Sequence, residues 1–214
     1  KYHVRKYGFH GTSHRYVLAE TAKLLGKKPE EVNIITVHLG NGSSITAVKN
    51  GKSIDTTMGL TPLEGLIMGT RSGDLDPTVV SYLGNKKGMT ADEVVSYLNK
   101  QCGILGVSGV SSDMRELNSA IEQGNARARL ALDMLIYRVK KFIGSYMAVL
   151  GRVDAITFTG GIGENQEDLR EGSLEDMEIY GIEIDKEKNN HLPRGTTEEI
   201  STPNSKVKVY RIPT

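Results

Sequence analysis

Apolar residues at Val17, Leu18, Ala22, Leu24 and Leu25 recur at helical spacing and stop at Gly26, which predicts a helix over 15–25. The period then shortens. Strands are predicted over 32–38, 43–49 and 52–57, the first around the run Ile34-Ile35-Thr36-Val37. Asn50-Gly51 between the last two is a strong hairpin signal, because both residues tolerate positive φ. Beyond Pro62 the pattern turns helical. Thr90-Ala91-Asp92-Glu93 is a capping box opening a helix that runs to about Lys100. The longest helix is predicted over 125–150, with Ala128, Leu132, Leu135, Val139, Phe142, Tyr146 and Val149 alternating by fours and threes. A second stripe at Ile136, Ile143, Met147 and Leu150 widens its apolar face and predicts burial on two sides. A strand over 154–159, a helix over 166–177, a solvated polar connection over 185–205 and a last strand complete the reading. Meandering strands, then helices, then further strands predict an α/β domain with a mixed sheet flanked by helices.

Composition narrows the function. The 214 residues carry 27 Lys+Arg and 26 Asp+Glu, a formal charge of +1, which gives no support to nucleic-acid or membrane-surface binding. No apolar run approaches the ~20 residues of a membrane span. Cys102 is the single cysteine, so no intrachain disulfide forms and a reducing, cytoplasmic setting is the default expectation. It reads as a small buried apolar residue, and His3 and His191, in polar surroundings, as inert. The chain opens on Lys1 and closes on a strand reaching Thr214, and both ends read as mid-protein sequence, so a fragment is expected. The 24 glycines cluster at turns.

Two glycine-rich turns, each leaving a strand, carry the chemistry. His38-Leu39-Gly40-Asn41-Gly42-Ser43-Ser44 is a tight hairpin whose glycines let backbone amides face an anion. An ordinary hairpin needs only Asn-Gly; the flanking histidine and serines favour phosphate contact. Gly160-Gly161-Ile162-Gly163-Glu164-Asn165 follows the later strand and is readable as a packing turn, an anion-binding helix entry, or both. Three further groups are open to two readings each. His10, between Gly8 and Gly11, is an uncovered imidazole or a turn histidine that caps the next helix. Arg71, in Gly69-Thr70-Arg71-Ser72-Gly73-Asp74, forks onto phosphate or pairs with Asp74 or Asp76. Asp113, in Asp113-Met114-Arg115-Glu116, contacts a ribose or base edge, or is an N-cap with Glu116 at N3; spacing favours the cap.

Taken in order with Met58-Gly59-Leu60-Thr61-Pro62-Leu63-Glu64-Gly65 between them, the segments at 7–14, 38–44, 69–73 and 161–165 resemble the acetate kinase family. The resemblance runs across nearly the whole chain and covers the C-terminal half of such an enzyme. It implies the ribonuclease-H-like domain of the actin-like ATPase superfamily, with residues 1–214 forming one nucleotide-binding domain of a two-domain kinase. It also implies roles. His38, Leu39, Gly40, Asn41 and Gly42 hold ATP phosphates; Asp113, Met114 and Arg115 contact the nucleotide, reversing the local preference for a cap; Gly161, Ile162, Gly163, Glu164 and Asn165 lie on the adenosine side; His10 and Arg71 stabilise the transition state. The implied cofactors are ATP or ADP and Mg²⁺, and the implied substrates are acetate or acetyl phosphate, with propionate as the alternative acyl group.

By the same resemblance, a magnesium-binding asparagine, a carboxylate-binding arginine and a catalytic aspartate belong to the other domain. A magnesium-side glutamate lies just past Ile212-Pro213-Thr214, so no metal ligand is assigned within the chain. The family also implies a homodimer joined through C-terminal domains. A reading of another class is a non-catalytic nucleotide-binding or dimerisation module.

Overall fold

The computed structural model describes residues 1–214 and places a six-stranded mixed sheet at the centre, in the order β3-β2-β1-β4-β6-β5. The strands are β1 (Ile34–Leu39), β2 (Ser43–Lys49), β3 (Lys52–Thr56), β4 (Ala155–Thr159), β5 (Glu198–Glu199) and β6 (Lys208–Arg211). The first three form an antiparallel meander, while β4 lies parallel to β1 and β6 parallel to β4. An antiparallel triplet continued by parallel strands is the ribonuclease-H-like arrangement.

The period-2 pattern sorts β1 between two faces. Ile35, Val37 and Leu39 point into a large core with α6 (Ala126–Leu150), α5 (Met114–Glu122) and α8 (Glu167–Leu174). Ile34 faces α1 (Gly11–Leu24) together with Val48, Ala155 and Tyr210. Towards the end of β1 the α1 face becomes polar: Thr36 and His38 bond to His14 and Ser13 of α1. This buried polar patch lies beside the hairpin of interest.

The helix over 126–150 forms as its spacing predicts, with Asn125 as N-cap accepting from the Arg127 and Ala128 N–H groups. Its burial is less even than the two stripes predict. Ile143 and Leu150 are buried, Ile136 and Met147 only partly, and Leu130, Met134 and Tyr137 stand in solvent. The capping box at Thr90 forms and opens α3 (Ala91–Lys100). Among the helices that escape the sequence pattern are α2 (Thr78–Lys87) and α4 (Gly103–Ser108). Neither brings enough apolar residues at helical spacing to be read alone.

Three expectations need correction. The stretch over 185–205 is not a simple solvated connection: it contains α9 (Lys186–Asn190), whose Asn189 is buried, and β5 on the sheet edge. The helix expected over 166–177 begins earlier and is broken. Residues Gly160–Asn165 are themselves helical (α7), Gln166 interrupts with φ −110° and ψ 88°, and α8 ends at Leu174. Cys102 is only partly buried.

Candidate nucleotide-binding cleft

The β1–β2 turn, the start of α5 and α7 enclose an open cleft of about 660 Å³. From the predicted set it is lined by Gly40, Asn41, Asp113, Met114, Arg115, Gly161, Ile162 and Asn165. Two of these stretches meet because β1 and β4 are parallel neighbours that end side by side, and the start of α5 supplies a third wall. Gly160 makes that convergence possible. Its φ is +78°, and a Cβ built there would lie 2.6 Å from the Leu39 carbonyl oxygen, so only glycine lets α7 leave β4 against the end of β1.

Other members of the predicted set lie off the cleft wall. The Leu39 side chain is fully buried in the core, which leaves only its backbone near the turn. Gly163 is buried, and its carbonyl accepts from Arg170 Nη1 at 2.9 Å. Glu164 Oε1 accepts from the Thr214 N–H at 3.1 Å. His38 stacks on His10, with ring centroids 4.2 Å apart.

His10 and Arg71 meet at the same hairpin turn. A Cβ on Gly42 would lie 3.1 Å from Arg71 Nη1 and 3.4 Å from His10 Nε2. The loop bearing Arg71 is pinned to the turn by the Gly69 N–H, which donates to the Asn41 carbonyl at 3.2 Å. Arg71 forms no pair with the carboxylates its sequence offered. Asp74 accepts from the Gly65 N–H and faces Arg138 at 3.9 Å, while Asp76 accepts from the Thr78 N–H. Its protein bonds are to the Pro62 carbonyl (3.3 Å) and Met68 sulfur (3.7 Å), which leave the positive charge uncompensated. The His10 side chain does not cap α1; the residue precedes that helix with φ 60°, a left-handed conformation unusual for a non-glycine. Burial, then the Arg71 charge, hold its pKa below the ordinary value, so the ring is a neutral donor or acceptor.

Asp113 forms the cap that its spacing favours and also faces the cleft. It caps α5 by accepting from the Arg115 N–H at 2.8 Å, and it also binds the Arg115 guanidinium at 2.6 Å and lines the cleft. That pairing with Arg115 pushes its carboxyl down to about 2. The cap is Asp113 alone, without Glu116.

The structure adds residues that sequence reasoning missed. Ser112, Asn118, Gln166 and Arg194 complete the cleft wall. Arg170 is buried and closes the carbonyl end of α7, with Nη1 donating to both Gly163 and Glu164 and Nε donating to Asn189 Oδ1 at 2.7 Å. An arginine inside a polar helical segment carries no local mark of this role. Only its neighbours in space reveal it.

The acetokinase family model matches residues 1–214. The chain belongs to the acetokinase family. It is 63% identical to the acetate kinase of Finegoldia magna, matching 100% of this chain and 53% of that protein. The acetate kinase of Thermoanaerobacter pseudethanolicus is 57% identical, with 100% and 53% covered. The crystal structure of Porphyromonas gingivalis acetate kinase superposes with a TM-score of 0.96 at 53% identity, covering 99% of this chain and 53% of that one. A Francisella tularensis propionate kinase superposes with a TM-score of 0.90 at 45% identity, over 99% and 53%. The chain thus spans about half the length of the curated relatives it matches. No three His, Cys, Asp or Glu side chains of this acetokinase chain converge as a metal site, and no helix is long and apolar enough to cross a membrane.

Proposed function

We propose that this chain is the nucleotide-holding half of a kinase that transfers the γ-phosphoryl group of ATP reversibly to a short carboxylate, giving an acyl phosphate and ADP. The observation that carries the reading is the meeting of Arg71 Nη1 and His10 Nε2 at Gly42, beside the cleft lined by Gly40, Asn41, Asp113 and Gly161. Phosphoryl transfer spreads negative charge over equatorial oxygens, so positioned donors do most of the work. An uncompensated guanidinium and a neutral imidazole N–H, already fixed at the turn, supply such donors. The acceptor carboxylate is ionised at pH 7 because its pKa is about 4, so no base is required to deprotonate it.

The chain offers no carboxylate cluster for Mg²⁺. A magnesium ion accompanying the nucleotide would then be held largely by phosphate oxygens and water.

Acetate is the acyl acceptor favoured by eight curated relatives that are acetate kinases at 56–63% identity. The propionate kinase neighbour makes propionate the second reading. A homodimer is part of the proposal, supported by the solvent-facing stripe Leu130, Met134 and Tyr137 on α6, as is a cytoplasmic setting, supported by the single cysteine.

Taken alone, the 214 residues are expected to bind ADP weakly and to transfer no phosphate, because donors facing water gain far less than in a closed cleft. Calorimetry with ADP and a coupled acyl-phosphate assay test this, on the chain and on the full-length protein. Absence of ADP binding to either overturns the nucleotide role. Turnover by the chain alone overturns the assignment of a half site.

A further inference from the structure

The polar patch between α1 and the sheet contains a continuous relay. Thr36 Oγ1 lies 2.6 Å from His14 Nδ1, His14 Nε2 lies 2.8 Å from Ser44 Oγ, and Ser44 Oγ lies 2.8 Å from His10 Nδ1. Thr36 and Ser44 are fully buried and His14 nearly so, which leaves the inner members no solvent to bond instead. Burial first, then His38 and His10, push the His14 pKa down to about 3, so its ring stays neutral with one N–H and one bare nitrogen.

Proton counting then restricts the relay. Ser44 has a single hydroxyl proton and faces a ring nitrogen on each side. If His14 is protonated on Nε2, it donates to Ser44. Ser44 then donates to His10 Nδ1, and His10 carries its proton on Nε2. If His14 is protonated on Nδ1, it donates to Thr36, Ser44 donates to His14 Nε2, and His10 donates through Nδ1. Unlike tautomers leave either the buried hydroxyl proton or a ring nitrogen without a partner, which costs more than the bond is worth when made.

We propose that Ser44 is a positioning residue whose single shared proton holds His10 and His14 in the same tautomer, so that the buried His14–Thr36 pair governs whether His10 presents N–H or a bare nitrogen at Gly42. The proposal rests on the reading of His10 as a donor at the cleft. An anion beside Arg71 selects the state with both protons on Nε2, because that state offers an N–H. A doubly protonated His10 demands the opposite setting: Ser44 must accept from Nδ1, His14 must hold its proton on Nδ1, and Thr36 must accept it. Thr36 thereby influences the titration of a ring it does not bond. The titratable groups around His10 are Arg71 from the 69–73 loop, His38 from β1 and His14 from α1; β2 contributes only Ser44.

The test is histidine-edited ¹³C/¹⁵N NMR on the full-length protein, with His191 as internal reference. At neutral pH the ¹⁵N shifts of His10 and His14 should report the same tautomer; unlike tautomers overturn the proposal, whatever the variants do. Thr36→Val, close in volume, should move the His10 midpoint, because His14 Nδ1 loses its partner in either setting, while Thr36→Ser keeps the hydroxyl and should leave it in place. In a Ser44→Ala background the Thr36→Val shift at His10 should vanish. A midpoint unmoved by Thr36→Val, or moved equally without Ser44, overturns the coupling. His10→Gln with normal turnover would instead remove the kinase role of His10, and the coupling would still be decided by the titration.

Discussion

Asn118 and Gln166 exchange two amide hydrogen bonds: Asn118 Nδ2 donates to Gln166 Oε1 at 2.9 Å, and Gln166 Nε2 donates back to Asn118 Oδ1 at 3.1 Å. One residue belongs to α5 and the other to the break between α7 and α8, so the pair ties together two walls of the cleft. Gln166 is 6% exposed. Asn118→Ala should therefore strand a buried amide at a cost of about 1–3 kcal/mol. Thermal unfolding should show a lowered Tm and calorimetry a weaker ADP interaction. The Gln166→Ala and double variants should be less than additive, and strict additivity would show that the two amides act independently.

Arg71→Ala in the full-length protein should lower kcat by about 10²–10³ while KM for ATP changes little, because the lost donor acts on charge that develops in transfer. The expectation follows from a guanidinium that has no carboxylate partner and sits against Gly42. Steady-state kinetics with ATP and acetate decide it. A mutant with ordinary turnover removes Arg71 from the mechanism.

Gly42→Ala and Gly160→Ala should fail in different ways. The added Cβ at Gly42 meets the flexible end of Arg71 and the His10 ring, so the fold should survive while both groups are displaced and turnover falls. At Gly160 the same methyl meets the Leu39 carbonyl at 2.6 Å with φ at +78°, so backbone must move. That variant should lose about 1–3 kcal/mol or more of stability. Parallel measurements of Tm and kcat separate the two outcomes.

Acid should destabilise the fold through its buried histidines. The folded His14 pKa is pushed down to about 3 from an ordinary 6.5, by burial and then by His38 and His10. Below pH 6.5 the unfolded chain takes up a proton that the folded chain refuses, so this contribution is complete above 6.5 and is lost as pH falls towards 3. The slope for His14 approaches about 1.4 kcal/mol per pH unit at its steepest. His38, pushed down to about 4 by burial and then by His10, acts in the same direction, weakened by its partial exposure. Tm should fall between about pH 7 and 5, and less steeply in a folded His14→Phe variant; a flat Tm contradicts the assignment.

The exposed stripe on α6 should be covered in a dimer. Leu130, Met134 and Tyr137 are 51%, 36% and 64% exposed and lie on neighbouring turns. Light scattering at micromolar concentration should give twice the chain mass, and Leu130→Glu with Tyr137→Glu should return the monomer without unfolding it. A wild-type monomer, or a dimer indifferent to both charges, places any interface elsewhere.

Much of the molecule follows from local rules. The alternation around Ile34 and Ser43, the Asn50-Gly51 turn, the Thr90 cap and the long apolar stripe each act over a few residues, so the meander, α3 and α6 are legible from the chain. The glycine-rich turns and their order likewise mark the cleft, because backbone approach to a ligand requires residues without a Cβ. Other features depend on partners far along the sequence. Asn118 reaches Gln166 across 48 positions, and Arg170 reaches Asn189 in a segment whose composition reads as solvated loop. His14 and Ser44 lie within the motifs at 7–14 and 38–44, yet only the packing of α1 on β1 and β2 turns them into a relay to His10. Sequence by itself determined the β1–β3 meander, β4, the last strand, the helices α1, α3 and α6 and the glycine turns, since those are fixed by periodicity and allowed φ. Tertiary structure alone decided that Arg71 lacks a carboxylate partner, that His14 is neutral and that three separate segments share one cleft. Charge pairing and desolvation depend on distances that only the closed sheet sets.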